Sequence, residues 1–186
     1  MTRLKLTTRL EEWATHSPFR ITGKVWTSVP LLIVELSDGE HIGRGEGAGV
    51  YYRDDTPAKM IHEVEAVRDA IEAGITRDEL LTLLPPGGAR NAVDCALWEL
   101  EARQRDTTVM ALAGVHDPRP LVTVCTVGAD TPEAMAHQAL AYGPVPALKL
   151  KLTEDRSNAD RVRAVRAACP KAWIGVDANQ GLNRTT

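Results

Sequence analysis

From about residue 117 onward, short apolar runs rich in β-branched residues alternate with amphipathic helical ones. No other feature constrains the fold as tightly. Leu121 to Val127 reads as a strand. Thr131-Pro132 then caps a helix carrying Met135, Ala136, Ala139 and Leu140. Ala147 to Leu152 is a second strand. Ser157-Asn158-Ala159-Asp160 opens a helix with Val162 and Val165 inward, which Pro170 ends, and Ala172 to Val176 is a third strand. The order β-α-β-α-β with short connections implies a parallel sheet with right-handed crossovers. Three such strands neither close a barrel nor protect both sheet edges. Exposed apolar edges, and with them aggregation or association with a partner, are therefore expected.

The preceding part reads differently. Pro30 to Leu36 is an apolar run ending in the turn signal Ser37-Asp38-Gly39, and the glycine-rich Ile42 to Gly47 returns from it as an antiparallel partner. The glycines lack the Gly-Lys-Ser/Thr ending of a phosphate loop and follow a hairpin instead of opening a helix, which argues against a nucleotide site. Thr56-Pro57 is an N-cap with proline at the first helical position. Met60, Ile61, Val64, Val67 and Ile71 share one face of the predicted helix, and Gly74 stops it. Pro85-Pro86-Gly87-Gly88 breaks the chain before a second amphipathic helix marked by Val93, Ala96, Leu97 and Leu100. The change of pattern predicts two domains, residues 1–116 and 117–186.

With 44% hydrophobic and 25% charged residues, the chain has an ordinary globular composition. A net charge of −3 gives no electrostatic reason to expect nucleic acid or an anionic membrane. No apolar run approaches the roughly 20 residues a bilayer span needs, and the stretch from Met1 to Lys5 lacks a secretory signal pattern. Cys95, Cys125 and Cys169 are odd in number and match no metal or disulfide spacing. Their apolar neighbours predict buried free thiols and a reducing cytoplasm.

The chemistry is concentrated in two strands. In Leu148-Lys149-Leu150-Lys151-Leu152 the leucines share one face and the lysines the other. Strands of a parallel sheet are usually apolar on both faces. Two like charges are costly to bury unless something pairs them or deprotonates one, and a lysine so depressed can serve as a general base. An edge strand with a solvated lysine face is the alternative. Ile174-Gly175-Val176-Asp177-Ala178-Asn179 places Asp177 at the C-terminal end of the third strand, where ligands of parallel α/β folds bind. Asp177 follows Lys151 by 26 positions, one helix-plus-strand unit, so both should stand on neighbouring strands at one rim. Its carboxylate is a hard ligand suited to Mg²⁺, and Asn179 shares its phase. Asp-Ala-Asn-Gln-Gly also reads as a turn capping the next helix.

Thr126 to Thr131-Pro132, Leu-Lys-Leu-Lys-Leu and Val-Asp-Ala-Asn-Gln-Gly occur in the order and spacing of the enolase superfamily's muconate-lactonizing subgroup, and the chain most resembles its dipeptide epimerases. Pro18-Phe19-Arg20, Gly45-Glu46 and Ala92 to Glu99 resemble the same family's capping domain. The resemblance implies an α/β plus α+β architecture, with an enolase-like N-terminal capping domain followed by the first β-α-β-α-β of a TIM-type (β/α) barrel. It further implies an isomerase that removes a proton alpha to a carboxylate while Mg²⁺ stabilises the enediolate.

By that resemblance Lys151 is the base and Lys149 lies beside it, contacting substrate and lowering the basicity of Lys151. Asp177 is the first of three acidic Mg²⁺ ligands; Asn179, by its phase alone, is placed to orient Asp177 or a ligand. Thr126 matches a substrate contact, although a threonine also suits a strand for its own sake. Lys24 stands in the loop of residues 16 to 29 that closes over substrate, where some family members carry an arginine for a substrate carboxylate. Lysine keeps that charge without the bidentate geometry. Trp26 is either a pocket wall or core. The substrate class implied is a dipeptide or another small carboxylate, with a homo-oligomer as the assembly family members often form.

Two further acidic ligands and an opposing lysine are absent from the sequence, and Leu182 stands where the family usually has Trp. A complete member needs roughly 320 residues or more. The expectation is a truncated chain, ending at Asn183-Arg184-Thr185-Thr186, that is inactive as it stands. An o-succinylbenzoate synthase, a muconate cycloisomerase, an N-acylamino acid racemase and a non-catalytic fragment remain open as alternatives.

Overall fold

The computed structural model describes residues 3–184; Met1 and Thr2 at the start and Thr185 and Thr186 at the end lie outside the described residues. Two compact units emerge. One comprises residues 3–13 with Ser28–Pro118, and the other comprises Ala14–Thr27 with residues 119–184. Two long strands, β1 (Lys5–Ile21) and β2 (Lys24–Ser37), run through both, joined by the two-residue turn Thr22-Gly23. Gly23 takes a φ of 72°, which favours glycine.

In the first unit β2 pairs antiparallel with β3 (Ile42–Gly47), completing a sheet of order β1-β2-β3. Leu32, Val34 and Leu36 alternate onto one face opposite Gly47, Gly45 and Gly43. On that face they join Met60, Val64, Ile71 and Leu80 and the Ala92–Val93–Ala96–Leu97–Leu100 stripe in one core. The stripe belongs to α4 (Gly88–Gln104), which begins inside the Pro-Pro-Gly-Gly break and is capped from a distance by Asp55, whose Oδ2 accepts the Gly88 N–H at 2.9 Å.

The predicted helix from Thr56 is two helices, α1 (Pro57–Ala66) and α2 (Arg68–Glu72). Val67, at φ −117°, interrupts them, and Arg68 then reaches Glu65, Glu72 and the Leu6 carbonyl. Thr56 does cap α1, accepting from Lys59 N. Two further short helices, α3 (Arg77–Leu83) and α5 (Val109–Leu112), have no counterpart in the sequence reading. Cys95 is exposed, contrary to the expected burial, because it falls off the Ala92–Ala96 stripe. Cys125 and Cys169 are half-buried, and all three are free.

At the β2–β3 turn, Asp38 accepts from the backbone of Glu40 and His41 and from Gln104. These donors, the His41 N–H first, hold its carboxyl well below the usual range. A depressed carboxylate contributes stability that is complete above its unfolded value, about 3.9, and is lost as pH falls through the folded one. Asp38→Asn is therefore expected to flatten the acid side of the stability-against-pH curve without changing its slope above pH 6. Thermal melts from pH 7 down to 2 read this directly.

The second unit holds β4 (Cys125–Val127), α6 (Pro132–Ala141), β5 (Ala147–Lys151), α7 (Asn158–Ala168) and β6 (Trp173–Asp177). The strands are parallel in the order β4-β5-β6. Leu148 and Leu150 are fully buried with Val127, Met135, Ala139 and Val165, so both helices cover the leucine face. The first strand is shorter than predicted. Leu121 to Val124 are exposed, Leu121 at 90%, and pairing begins only at Cys125, opposite Leu148, the second residue of β5. Leu140 on α6 is exposed, as are Trp173 and Val176 on β6. On β6, the outer strand of the order β4-β5-β6, apolar side chains are thus exposed. Among the described residues no helix is long and apolar enough to cross a membrane.

Candidate functional site

Parallel registry sets the site. Thr126 lies opposite Lys149, Lys149 opposite Gly175, and Lys151 opposite Asp177. With the leucines committed to the helices, Thr126, Lys149, Lys151 and Asp177 share the other face, the last two at the strand ends. Lys151 is 7% exposed. Its Nζ donates to Asp177 Oδ2 at 2.7 Å and to Asn179 Oδ1 at 2.9 Å, while Lys149 Nζ stands 4.0 Å from Asp177 Oδ2. Asp177 Oδ1 accepts the Asn179 N–H at 2.9 Å. The Lys151 hydrogen bond first, and the Asn179 N–H second, hold the Asp177 carboxyl below its usual range against the opposing effect of burial. Asn179 has φ 46°, in the left-handed region that asparagine tolerates better than most residues.

The bland alternative for the Lys-x-Lys strand, a solvated face, does not hold for Lys151. An ammonium has three donors, and two are engaged at the rim, which aims the nitrogen across the end of the sheet. Lys149 is half-buried. Thr126 is half-buried as well, and its carbonyl accepts from Tyr142 OH at 2.7 Å. Lys24, at the start of β2, is half-buried with its Nζ 4.8 Å from the Trp26 ring centroid, a cation–π distance, and Trp26 in turn meets Phe19 at 5.9 Å.

Two residues the sequence reading passed over organise this rim. Thr22, in the hairpin turn, has its Oγ1 2.9 Å from Ala178 O and 3.2 Å from Leu152 O, so its single proton is shared between the loops that follow Asp177 and Lys151. Ala129 N–H donates to Arg20 O at 3.0 Å, so the end of β1, just before that turn, also meets the loop after β4. Arg161 is buried and donates to Asp130 O, Thr153, Asp155 and Asn158. Its i, i+4 spacing to Val165 on the inward face of α7 was the available signal.

For a divalent ion, the rim supplies one hard ligand, Asp177. Among the described residues no three His, Cys, Asp or Glu side chains come together as a metal site. One carboxylate fits one position of an octahedral shell and does not make the shell. The described residues therefore do not by themselves fit a bound Mg²⁺.

An antiparallel sheet clad in helices, followed by parallel β/α units with two lysines and an aspartate at one strand-end rim, defines a class of two-part α/β proteins. Within that class, the chain belongs to the mandelate racemase / muconate lactonizing enzyme family, whose N-terminal domain matches residues 3–114. It is 35% identical over 171 residues to the L-Ala-D/L-Glu epimerase of Escherichia coli K12, covering 91% of this chain and 53% of that protein. It is also similar to a solved enolase family member from Agrobacterium tumefaciens with homology to dipeptide epimerases, which holds sodium and L-Ala-L-Glu. That likeness has a TM-score of 0.91 at 34% identity, over 98% of this chain and 56% of the other. A dipeptide epimerase from Methylococcus capsulatus, complexed with Mg and L-Arg-D-Lys, superposes with a TM-score of 0.83 at 25% identity, over 100% of this chain and 56% of that one. The chain thus spans about half the length of the relatives it matches.

Proposed function

We propose that this chain is the capping domain and first barrel strands of an Mg²⁺-dependent, cytoplasmic dipeptide epimerase, divided near residue 116. The observation that carries this reading is the Lys149–Lys151–Asp177–Asn179 cluster at one strand-end rim. Similarity to an L-Ala-D/L-Glu epimerase supports it. In this reading Lys151 Nζ takes the proton alpha to the substrate carboxylate, aimed by its bonds to Asp177 and Asn179. Lys149 and Thr126 border the substrate on the same face, and Lys24 lies beyond them on the hairpin. A bound cation would supply charge to meet the enediolate, and this chain contributes one carboxylate to holding it.

The test is α-proton exchange. The protein carrying this chain, incubated with L-Ala-L-Glu and Mg²⁺ in D₂O, is expected to replace the α-proton of the C-terminal residue and to accumulate the other epimer. No exchange with any dipeptide overturns the reading, and exchange confined to N-acylamino acids moves the protein to the N-acylamino acid racemases. The 186-residue chain alone is expected to show no turnover, because one carboxylate cannot complete the metal shell. Measurable turnover by that chain would overturn the expectation.

A further inference from the structure

The turn after β6 holds a conformation that its own residues do not favour. Asn179 and Gln180 are consecutive left-handed residues, with φ 46° and 65°. Asparagine tolerates that region, whereas glutamine enters it at a cost. Such residues persist where the surrounding structure over-determines them. Here the surroundings can be named. Ala178 O, at the start of the turn, accepts the Gly181 N–H at 2.8 Å and the Thr22 hydroxyl at 2.9 Å. The same hydroxyl lies 3.2 Å from Leu152 O, and Leu152 N–H donates to Asp177 O at 3.0 Å. One side chain thus ties the residue after Lys151 to the residue after Asp177. The approach is close, because a Cβ on Gly181 would run into Thr22 Oγ1. Asn179 depends on the turn twice: its N–H donates to Asp177 Oδ1 at 2.9 Å, and its Oδ1 accepts from Lys151 Nζ at 2.9 Å. If the turn relaxed to the right-handed region, the backbone at Asn179 would swing and both bonds would break.

We propose that Thr22 is a positioning residue for the candidate base: its shared proton holds the strained turn of residues 177–181, and through Asn179 that turn aims Lys151 Nζ. The reaction that Lys151 serves rests on the epimerase reading. The tie between Thr22 and the turn rests on the hydrogen bonds and the left-handed residues alone.

Amide hydrogen exchange in this chain, followed by NMR, tests the tie without any substrate. Thr22→Val keeps the shape and removes the shared proton. It is expected to speed exchange at the Asn179 and Gly181 amides about fivefold, the effect of one net hydrogen bond, and to leave Leu150 within β5 unchanged. Thr22→Ser should keep the parent's protection. Gly181→Ala should reproduce Thr22→Val, because its Cβ pushes the hydroxyl away, and the two substitutions together should cost no more than either alone. Thr22→Ala removes the hydroxyl without adding bulk and takes the place of valine if valine prevents folding. In the protein that carries this chain, Thr22→Val should lower kcat for α-proton exchange by between about twofold and fivefold with KM nearly unchanged, and Thr22→Ser should recover it. Parent-like amide exchange at Asn179 and Gly181 without the hydroxyl overturns the proposal, as does an unchanged kcat. Equal acceleration at Leu150 overturns it too, since Thr22 would then serve only general stability. Faster exchange at the two turn amides, in a protein that removes no α-proton from any dipeptide, would instead refute the epimerase reading and leave Thr22 as the tie behind Lys151.

Discussion

On the proposed epimerase reading, replacing Lys151 with methionine in the protein that carries this chain is expected to lower α-proton exchange by between about a hundredfold and ten-thousandfold, the range a positioned general base supplies. Methionine fills a similar volume but leaves no nitrogen to take the proton. The loss should fall on kcat more than on KM, because in that reading the amine acts on the reacting atom and not on the parts of the substrate that hold it. Folding should suffer far less. Asp177 Oδ2 and Asn179 Oδ1 lose a donor, which costs about 1–3 kcal/mol if nothing replaces it. Lys149 Nζ, already 4.0 Å from the same oxygen, is placed to take over part of the role. Lys149→Met leaves the Lys151 pair in place and is expected to cost less in rate. Exchange followed separately from each epimer sharpens the result. If Lys151→Met abolishes exchange from one stereoisomer and spares the other, a second base stands on the opposite face. Unchanged exchange from both would remove Lys151 from the chemistry.

The legible parts of this fold are those where one local rule acts alone. Threonine caps at Thr56 and Thr131 were readable because each is followed by proline at the first helical position, and both accept the backbone N–H they should. The parallel sheet was readable because apolar strands and helical runs alternate with no room for a hairpin. The rim was readable because a period of two sorts leucines from lysines, and one β/α unit separates Lys151 from Asp177. What escaped depends on distant partners. Strand length at Leu121 to Val124 is set by where pairing with β5 starts, which no local pattern encodes. The split at Val67 follows from Arg68 reaching back to Glu65 and to Leu6, 62 residues earlier. The α3 helix carried a signal that was available, a capping box between Thr76 and Glu79, with both reciprocal bonds formed. Arg161 carried a signal too, its i, i+4 spacing to Val165 on α7, but the loop that satisfies the buried guanidinium lies outside that local pattern.

A valine at position 45 is expected to destabilise the first unit by about 3 kcal/mol or more, enough to unfold a marginal domain. The glycine-rich strand β3 owes its composition to α4. Gly43, Gly45 and Gly47 all face that helix, and a Cβ at Gly45 would run into the Ala92 carbonyl oxygen while lying 2.8 Å from Ala96 N and 2.9 Å from Cys95 Cβ. Two of those three obstacles are main-chain atoms of a regular helix. They cannot turn aside by changing rotamer, so the helix must lift from the sheet as a body. Lifting it would open the packing of Ala92, Val93 and Ala96 against Leu32, Val34 and Leu36. Even alanine at position 45 should be poorly tolerated, and no single side-chain truncation on α4 should rescue it. Glu46→Ala, one residue along on the exposed face, should stay within about 0.5 kcal/mol of the parent. Urea denaturation separates the cases: the expected result is a large fall in midpoint for Gly45→Val at an unchanged slope, against almost none for Glu46→Ala. A Gly45→Val protein with the parent's midpoint would mean that α4 does not approach β3 this closely, and the glycines would then need another explanation.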